Sequence, residues 1–280
     1  MGSGLGHYQP ALTGIVAPFG WKVYRAGTTA STNADCVSFA ESGGTERSVF
    51  WADQQSGGRG RRGREWTSPP GNLYVSILFR PERGLSAALT LGFVAGVALV
   101  DTVKIVAPTL DAKVKWPNDV LVDRHKVAGI LLESAATGTI CDYVVVGIGV
   151  NLGIGPPNPS VGLSPGAFKP GSLSDWMTPP PVGEFLGTFL SQLNAVYGNW
   201  CEAGFGPIRR RWEACATGIG STVSVEKGGQ RIAGVFSGLD ESGAMLIDAM
   251  HVNAGHQCVR VTVGDVVFRG AGTVRESECS

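Results

Sequence analysis

The sequence predicts an α+β fold, with a mixed central sheet flanked by helices and a small C-terminal β-barrel after it. Three observations point there. Four β-type runs crowd into residues 114–150, helical patterns lie singly before and after them instead of alternating in βαβ repeats, and five short β-runs fill residues 222–269. The division expected is 1–214 for the main domain and 215–280 for the small domain and tail.

In chain order, residues 21–24 read as a short strand. Thr28-Thr29-Ala30-Ser31-Thr32-Asn33 then offers N-cap chemistry for a helix over 34–41, ended by Gly43-Gly44. Residues 49–52 and 73–79 read as strands, separated by a glycine and arginine run that can only be a loop. An apolar stretch over 86–105, with Leu89, Phe93, Gly96 or Val97 and Val100 near helical spacing, predicts a buried helix. Strands follow at 114–116, 120–122, 127–133 and 143–150, and the unbroken Val144-Val145-Val146-Gly147-Ile148 predicts burial on both faces. Residues 153–181, rich in Pro, Gly and Ser, predict a surface connection; helices are expected at 182–203 and 207–214. The barrel strands are 222–226, 231–239, 244–248, 258–263 and 266–269, with turns at Lys227-Gly228-Gly229 and Asp240-Glu241-Ser242-Gly243.

Composition narrows the function. The 280 residues are 43% hydrophobic and carry 23 Lys and Arg against 23 Asp and Glu, enough apolar material for a core and no global attraction to nucleic acid or acidic membranes. The C-terminal unit has Lys227, Arg231, Arg260 and Arg269 against Glu226, Asp240, Glu241, Asp248 and Asp265, which suits docking better than gripping nucleic acid. No apolar run nears the roughly 18 residues of a membrane span, and the first ten residues lack an export signal. Six scattered cysteines without Cys-x-x-Cys suggest a reducing, cytoplasmic setting and no structural zinc.

Three segments carry chemistry. Gln55-Ser-Gly-Gly-Arg-Gly-Arg-Arg-Gly-Arg64 interleaves Arg59, Arg61, Arg62 and Arg64 with glycines, so bare amides and guanidinium forks can surround an anion. A solvated basic loop, or a grip on nucleic-acid phosphates, would look the same by spacing alone. Lys115-Trp-Pro-Asn-Asp119, followed by Lys126, offers oxygens from Asn118 and Asp119 for Mg2+ and two ammonium groups for a reacting phosphate; it could also be a plain turn between strands. Gly147-Ile-Gly-Val-Asn151 puts two glycines at a strand end, where a flat ligand or a packed helix could press on the backbone.

Together with Ser31-Thr32-Asn33, Glu65-Trp66 and Lys126-Val-Ala-Gly-Ile130, these segments resemble the biotin protein ligases, the biotin–[acetyl-CoA carboxylase] ligases, over about residues 21–270. The resemblance implies the biotin/lipoate ligase-like catalytic domain, an SH3-like C-terminal barrel, and attachment of biotin to one lysine of a carrier domain through biotinyl-5′-AMP. ATP and biotin would be substrates, with Mg2+. By position, Lys126 and Arg61 would be the catalytic pair. Biotin would be held by Ser31, Thr32, Asn33, Gln55, Arg59, Gly60, Arg61, Lys126, Gly129, Gly147 and Gly149, the last two as a floor. ATP would meet Arg59, Arg61, Arg64, Trp66, Lys115, Asn118, Asp119 and Asn151, with Trp66 packing on adenine and Asn118 or Asp119 as metal partner. The base that deprotonates the acceptor lysine stays unassigned.

Because the mixed anhydride hydrolyses readily, residues 56–66 are expected to be mobile until ligand orders them. Gly57 and Val127 depart mildly from the family's usual Ala and Leu. About twenty residues precede the first strand, too few for the helix-turn-helix of some relatives, so the expected form is monofunctional, without DNA or membrane binding. The expected partner is the biotin carboxyl-carrier domain of a carboxylase, and a homodimer stays open. The rival readings are a lipoate ligase or lipoyl transferase and, more remotely, a non-enzymatic nucleic-acid-binding protein.

Overall fold

The computed structural model describes residues 6–10, 15–155, 168–227, 230–251, 255–262, 264 and 266–268. Residues 156–167 of the expected connection, Gly228-Gly229, Asp265, Arg269, Cys279 and the C-terminal tail lie outside them. The larger sheet contains β1 (Gln9–Pro10), β2 (Lys22–Thr29), β3 (Ser48–Gln55), β4 (Leu73–Phe79), β5 (Ala112–Lys115), β6 (Asp119–Val122), β7 (His125–Thr137) and β8 (Ile140–Val150). Their spatial order is β1-β2-β3-β4-β8-β7-β6-β5. Only β2 and β3 run parallel, joined by the crossover helix α1 (Thr32–Glu41); the other neighbours are antiparallel.

Alternation along the strands divides the apolar residues between two faces. Val75, Ile77 and Phe79 of β4, with Val144, Val146 and Ile148 of β8, join the main core beneath α3 (Leu91–Val106), α4 (Val182–Ala203) and α5 (Phe205–Ala214). Leu78, Val145 and Phe50 point the other way, into a smaller cluster under α1 with Cys36 and Ala40. Because α1 has ten residues, it covers only part of that second face.

Several expectations need correction. The helix expected over 86–105 is two, α2 (Leu85–Ala88) and α3, broken at Leu89-Thr90. There the Thr90 hydroxyl donates to the Ala87 carbonyl at 2.6 Å and accepts the Trp200 indole N–H at 2.8 Å, a local bonding choice that competes with a continuous helix. The stretch Leu85–Val106 is long and apolar enough to cross a membrane, yet 72% of its most apolar window is buried in this core. The connection after β8 is not wholly superficial either. Gly171, Ser172 and Leu173 are buried, because hydrogen bonds to Lys126, Asn151 and Leu152 satisfy their polar groups.

The second sheet holds β9 (Thr222–Lys227), β10 (Gln230–Leu239), β11 (Met245–His251), β12 (Gly255–Val261) and β13 (Val266–Phe268), in the order β12-β11-β10-β9-β13. This is the small five-stranded C-terminal sheet expected. Val223, Val225, Phe236, Met245 and Ile247 belong to the same apolar cluster as the first sheet. The Trp116 indole N–H crosses over to the Gly243 carbonyl at 3.0 Å, and Leu239 N–H donates to Glu213 at 2.8 Å.

Candidate active site

The part of the second face that α1 leaves open begins at the helix's own N-terminus. Ser31 is the extended cap residue, and its side chain makes no cap hydrogen bond. Thr32 is held by Gln55, whose Oε1 accepts from the Thr32 backbone N–H at 2.9 Å and lies 3.2 Å from the Thr32 hydroxyl. The Ser76 hydroxyl lies 2.7 Å from the Thr32 hydroxyl and 2.5 Å from Asn33 Oδ1. Asn33 Nδ2 donates to Glu133 at 2.8 Å. All three residues, Ser31, Thr32 and Asn33, are buried.

Pleating puts Gly129, Leu131 and Glu133 of β7 on this face, registered against Gly149, Gly147 and Val145 of β8. The glycines there have distinct reasons. A Cβ at Gly147 would come within 1.9 Å of Asn33 Oδ1, so α1 itself demands that glycine. At Gly149 a Cβ would meet the Trp66 indole at 2.5 Å, and at Gly129 at 3.0 Å. Trp66 therefore lies on the glycines assigned to biotin, and its buried indole N–H has no hydrogen-bond partner among the described residues.

The arginine loop folds over this floor as an irregular hairpin. Bridges Gln55–Ser68 and Arg59–Glu65 hold it, Trp66 N–H donates to the Gly58 carbonyl at 2.9 Å, and Gly60 N–H to the Arg64 carbonyl at 2.6 Å. Arg62 and Gly63 take positive φ of 57° and 71°, reversing the chain at its tip. The arginines part in direction. Arg59 Nη2 lies 3.2 Å from both Glu133 oxygens at the α1 end, whereas Arg61 donates to Asn118 Oδ1 at 3.2 Å at the opposite end. Arg64 stays exposed, its Nε 3.4 Å from the Arg61 carbonyl.

That opposite end gathers charge. Lys126 Nζ lies 2.6 Å from Asp119 Oδ1 and 5.5 Å from the Trp66 ring centre, while Lys115 Nζ lies 3.9 Å from Asp119 Oδ2. Burial alone would raise the Asp119 carboxyl; the Lys126 and Lys115 ammonium groups outweigh it and hold the carboxyl below its usual range. Asn118 is fixed by reciprocal bonds with Ile130, Nδ2 to carbonyl at 2.8 Å and carbonyl from N–H at 2.9 Å. Both Asp119 oxygens thus face ammonium groups and Asn118 Oδ1 faces a guanidinium, so this donor set does not fit a protein-held Mg2+. Among the described residues no three His, Cys, Asp or Glu side chains gather as a metal cage.

A strap unforeseen from the sequence completes the wall. Lys126 N–H donates to the Lys169 carbonyl at 2.7 Å, Gly171 N–H returns to the Lys126 carbonyl at 2.9 Å, and Asn151 Nδ2 donates to the Gly171 carbonyl at 2.9 Å. The strap pins Lys126 and Asn151 together although 25 positions separate them. Only the Ser172–Asp175 capping box could have marked its end in the sequence. Of the predicted residues, the fold places Ser31, Thr32, Asn33, Gln55, Arg59 and Gly147 at one end, and Arg61, Lys115, Asn118, Asp119 and Lys126 at the other. Trp66, Gly129 and Gly149 lie between.

Comparison with known proteins places the chain in one family. Residues 28–151 match the model of the biotin/lipoate A/B protein ligase family. The chain is 38% identical over 249 residues to the biotin–[acetyl-CoA-carboxylase] ligase of Paracoccus denitrificans, covering 86% of this chain and 98% of that protein. It is 33% identical over 261 residues to the corresponding ligase of Mycobacterium tuberculosis, covering 90% and 91%. The solved biotin protein ligase of Aquifex aeolicus in complex with biotin and ATP superposes with a TM-score of 0.71 at 25% identity, covering 88% of this chain and 98% of that one.

Proposed function

The chain belongs to the biotin–[acetyl-CoA-carboxylase] ligases, and we propose from that premise how its own residues divide one groove into a biotin end and a nucleotide end. It is an ATP-dependent ligase that attaches biotin to protein, with biotin and ATP as substrates. A lipoate ligase is not favoured by these relatives.

Biotin lies along the floor of Gly129 and Gly149, its ring end towards Thr32, Asn33 and Gln55, its carboxylate towards Lys126. Trp66 lies between the two ends, its ring on those two glycines, and offers the packing surface for adenine. ATP enters from the Lys115, Asn118 and Asp119 side, with Arg61, Arg64 and Asn151 around it. A carboxylate oxygen then bonds to the α-phosphorus as the bond to pyrophosphate breaks. Two anions must meet for this, so fixed cations aimed at the point of contact are what lower the barrier. Lys126, oriented by Asp119, and Arg61, oriented by Asn118, supply them. In the second step the neutral amine of the carrier lysine attacks the acyl carbon and AMP leaves. Mg2+ would be carried chiefly by nucleotide phosphates.

The acceptor in this proposal is a biotin carboxyl-carrier domain of a carboxylase, the location is cytoplasmic, and the second sheet, from residue 215 onward, serves docking without a DNA role. The observation that carries the proposal is the 2.6 Å Lys126–Asp119 pair beneath the arginine loop. Biotin-dependent exchange of pyrophosphate into ATP tests it. Exchange driven by biotin and not by lipoate is expected; exchange driven by lipoate alone would overturn it.

A further inference from the structure

We propose that Glu133 is a positioning residue that latches the arginine loop to the head of α1, and so controls capture of biotin and retention of biotinyl-5′-AMP. The inference rests on the function proposed above. Glu133 sits on the site face of β7, two residues beyond Leu131 and four beyond Gly129, opposite Val145 of β8. Its carboxylate has two partners from distant parts of the chain. Asn33 Nδ2 donates to Oε2 at 2.8 Å, across 100 positions, and Arg59 Nη2 reaches both oxygens at 3.2 Å, across 74.

Both partners border the biotin end. Asn33 Oδ1 is taken by Ser76 and its side chain fills the space that Gly147 leaves, so the Glu133 bond decides which way its amide faces. Arg59 is the loop's tether at this end, as Arg61 is at the other through Asn118. Glu133 is therefore an anchor of the loop at the biotin end, as Asn118 is at the nucleotide end.

Magnitude separates this role from a stabilising one. The Arg59 and Glu133 side chains are 49% and 31% exposed, and an ion pair so open to water contributes little to folding stability. Its worth is geometric: it keeps a flexible guanidinium over the groove instead of in solvent. Losing it therefore loosens the loop while leaving the sheet and the Lys126 end alone.

The test measures release of biotinyl-5′-AMP from the whole protein, together with KM for biotin and ATP, for the parent, Glu133→Ala and Glu133→Gln. Alanine removes both partners and is expected to raise KM for biotin and speed adenylate release about tenfold each, with kcat of exchange and KM for ATP within about twofold. Glutamine keeps an acceptor for Asn33 but loses the charge that holds Arg59, so KM for biotin should return towards the parent while release stays fast. Parent-like release in the alanine variant overturns the latch. So does a joint fall of kcat, both affinities and melting temperature, which would mark a structural role, or a glutamine variant that retains adenylate like the parent. Should alanine prevent folding, glutamine alone decides. A parent that makes no adenylate from biotin removes the function proposed above; a parent that makes it while both variants match removes only the latch.

Discussion

Replacing Lys126 with alanine takes away the ammonium group 2.6 Å from Asp119 and leaves that carboxylate with Lys115 at 3.9 Å. If Lys126 neutralises charge where carboxylate and phosphate meet, biotin-dependent pyrophosphate exchange should fall at least about 100-fold, the usual effect of deleting one preorganised donor. Parent-like exchange would remove the lysine from the reaction. The two glycines of β8 make a sharper pair. Gly147→Ala sets a methyl group against the buried Asn33, whose amide is fixed on both sides, and should cost about 1–3 kcal/mol in stability, read by thermal or urea unfolding. Gly149→Ala meets Trp66 instead, which is only half-buried and can give way. There the fold should stay near parental stability while KM for biotin rises; equal loss of stability in both variants would contradict the distinction.

Among the elements, the arginine loop is held over the groove largely through its own side chains. Apart from hairpin bonds, its anchors include Arg59 to Glu133, Arg61 to Asn118 and Trp66 on the glycine floor. Such an element opens at low cost, so the amides of residues 56–66 should exchange with deuterium faster in the free protein than with biotin and ATP present. Identical exchange in both states would mean that the loop does not order on ligand. Arg61→Gly removes the nucleotide-end anchor, and adenylate should escape and label bystander lysines in solution; a variant as retentive as the parent would exclude that role. The loop's shape is legible in Ser56–Arg64, since glycine spacing announces irregular backbone. Its two-ended tether is not, because Glu133 and Asn118 reach it only through the pairing of β6, β7 and β8.

At the scale of the molecule, one apolar cluster runs from the first sheet into the second, and the Trp116 indole N–H crosses between them. Trp116→Phe trades the buried indole for a smaller ring and leaves the buried Gly243 carbonyl without that donor, so stability should drop by at least about 1–3 kcal/mol in a single unfolding transition. Two separate transitions would show that the sheets unfold independently. Acid should act on both units. Burial would raise the Asp240 carboxyl, but the Arg260 guanidinium, the Ser242 hydroxyl and the backbone N–H groups of Ser242 and Ala244 outweigh it and hold the carboxyl at about 2, against an ordinary 3.8. Asp119 is lowered as well. A carboxyl lowered by folding stabilises fully above its ordinary value, and that contribution drains away as pH falls through the lowered one. Stability measured by urea midpoint should therefore hold down to about pH 4 and decline below it; a midpoint flat to pH 2 would contradict both assignments.

The sequence by itself determined the α+β class, most strand and helix positions, and the residue types of the site, because pleat, helical period and glycine–arginine spacing are local properties that neighbours along the chain settle. The arginine loop and Lys126 were readable for that reason, whereas Ser31 to Asn33 stood out as site residues only through the family resemblance. Only the tertiary structure decided which of them meet. It separated Arg59 from Arg61 and set Trp66 on Gly129 and Gly149. It turned Asp119 towards two lysines instead of a metal cage, and it brought Gly171 in to pin Lys126. It also broke the long apolar helix at Thr90. Each of these outcomes depends on strand register and on buried partners tens of residues away, and a side chain's charge or hydrogen bond carries no mark in the sequence of which distant group will satisfy it.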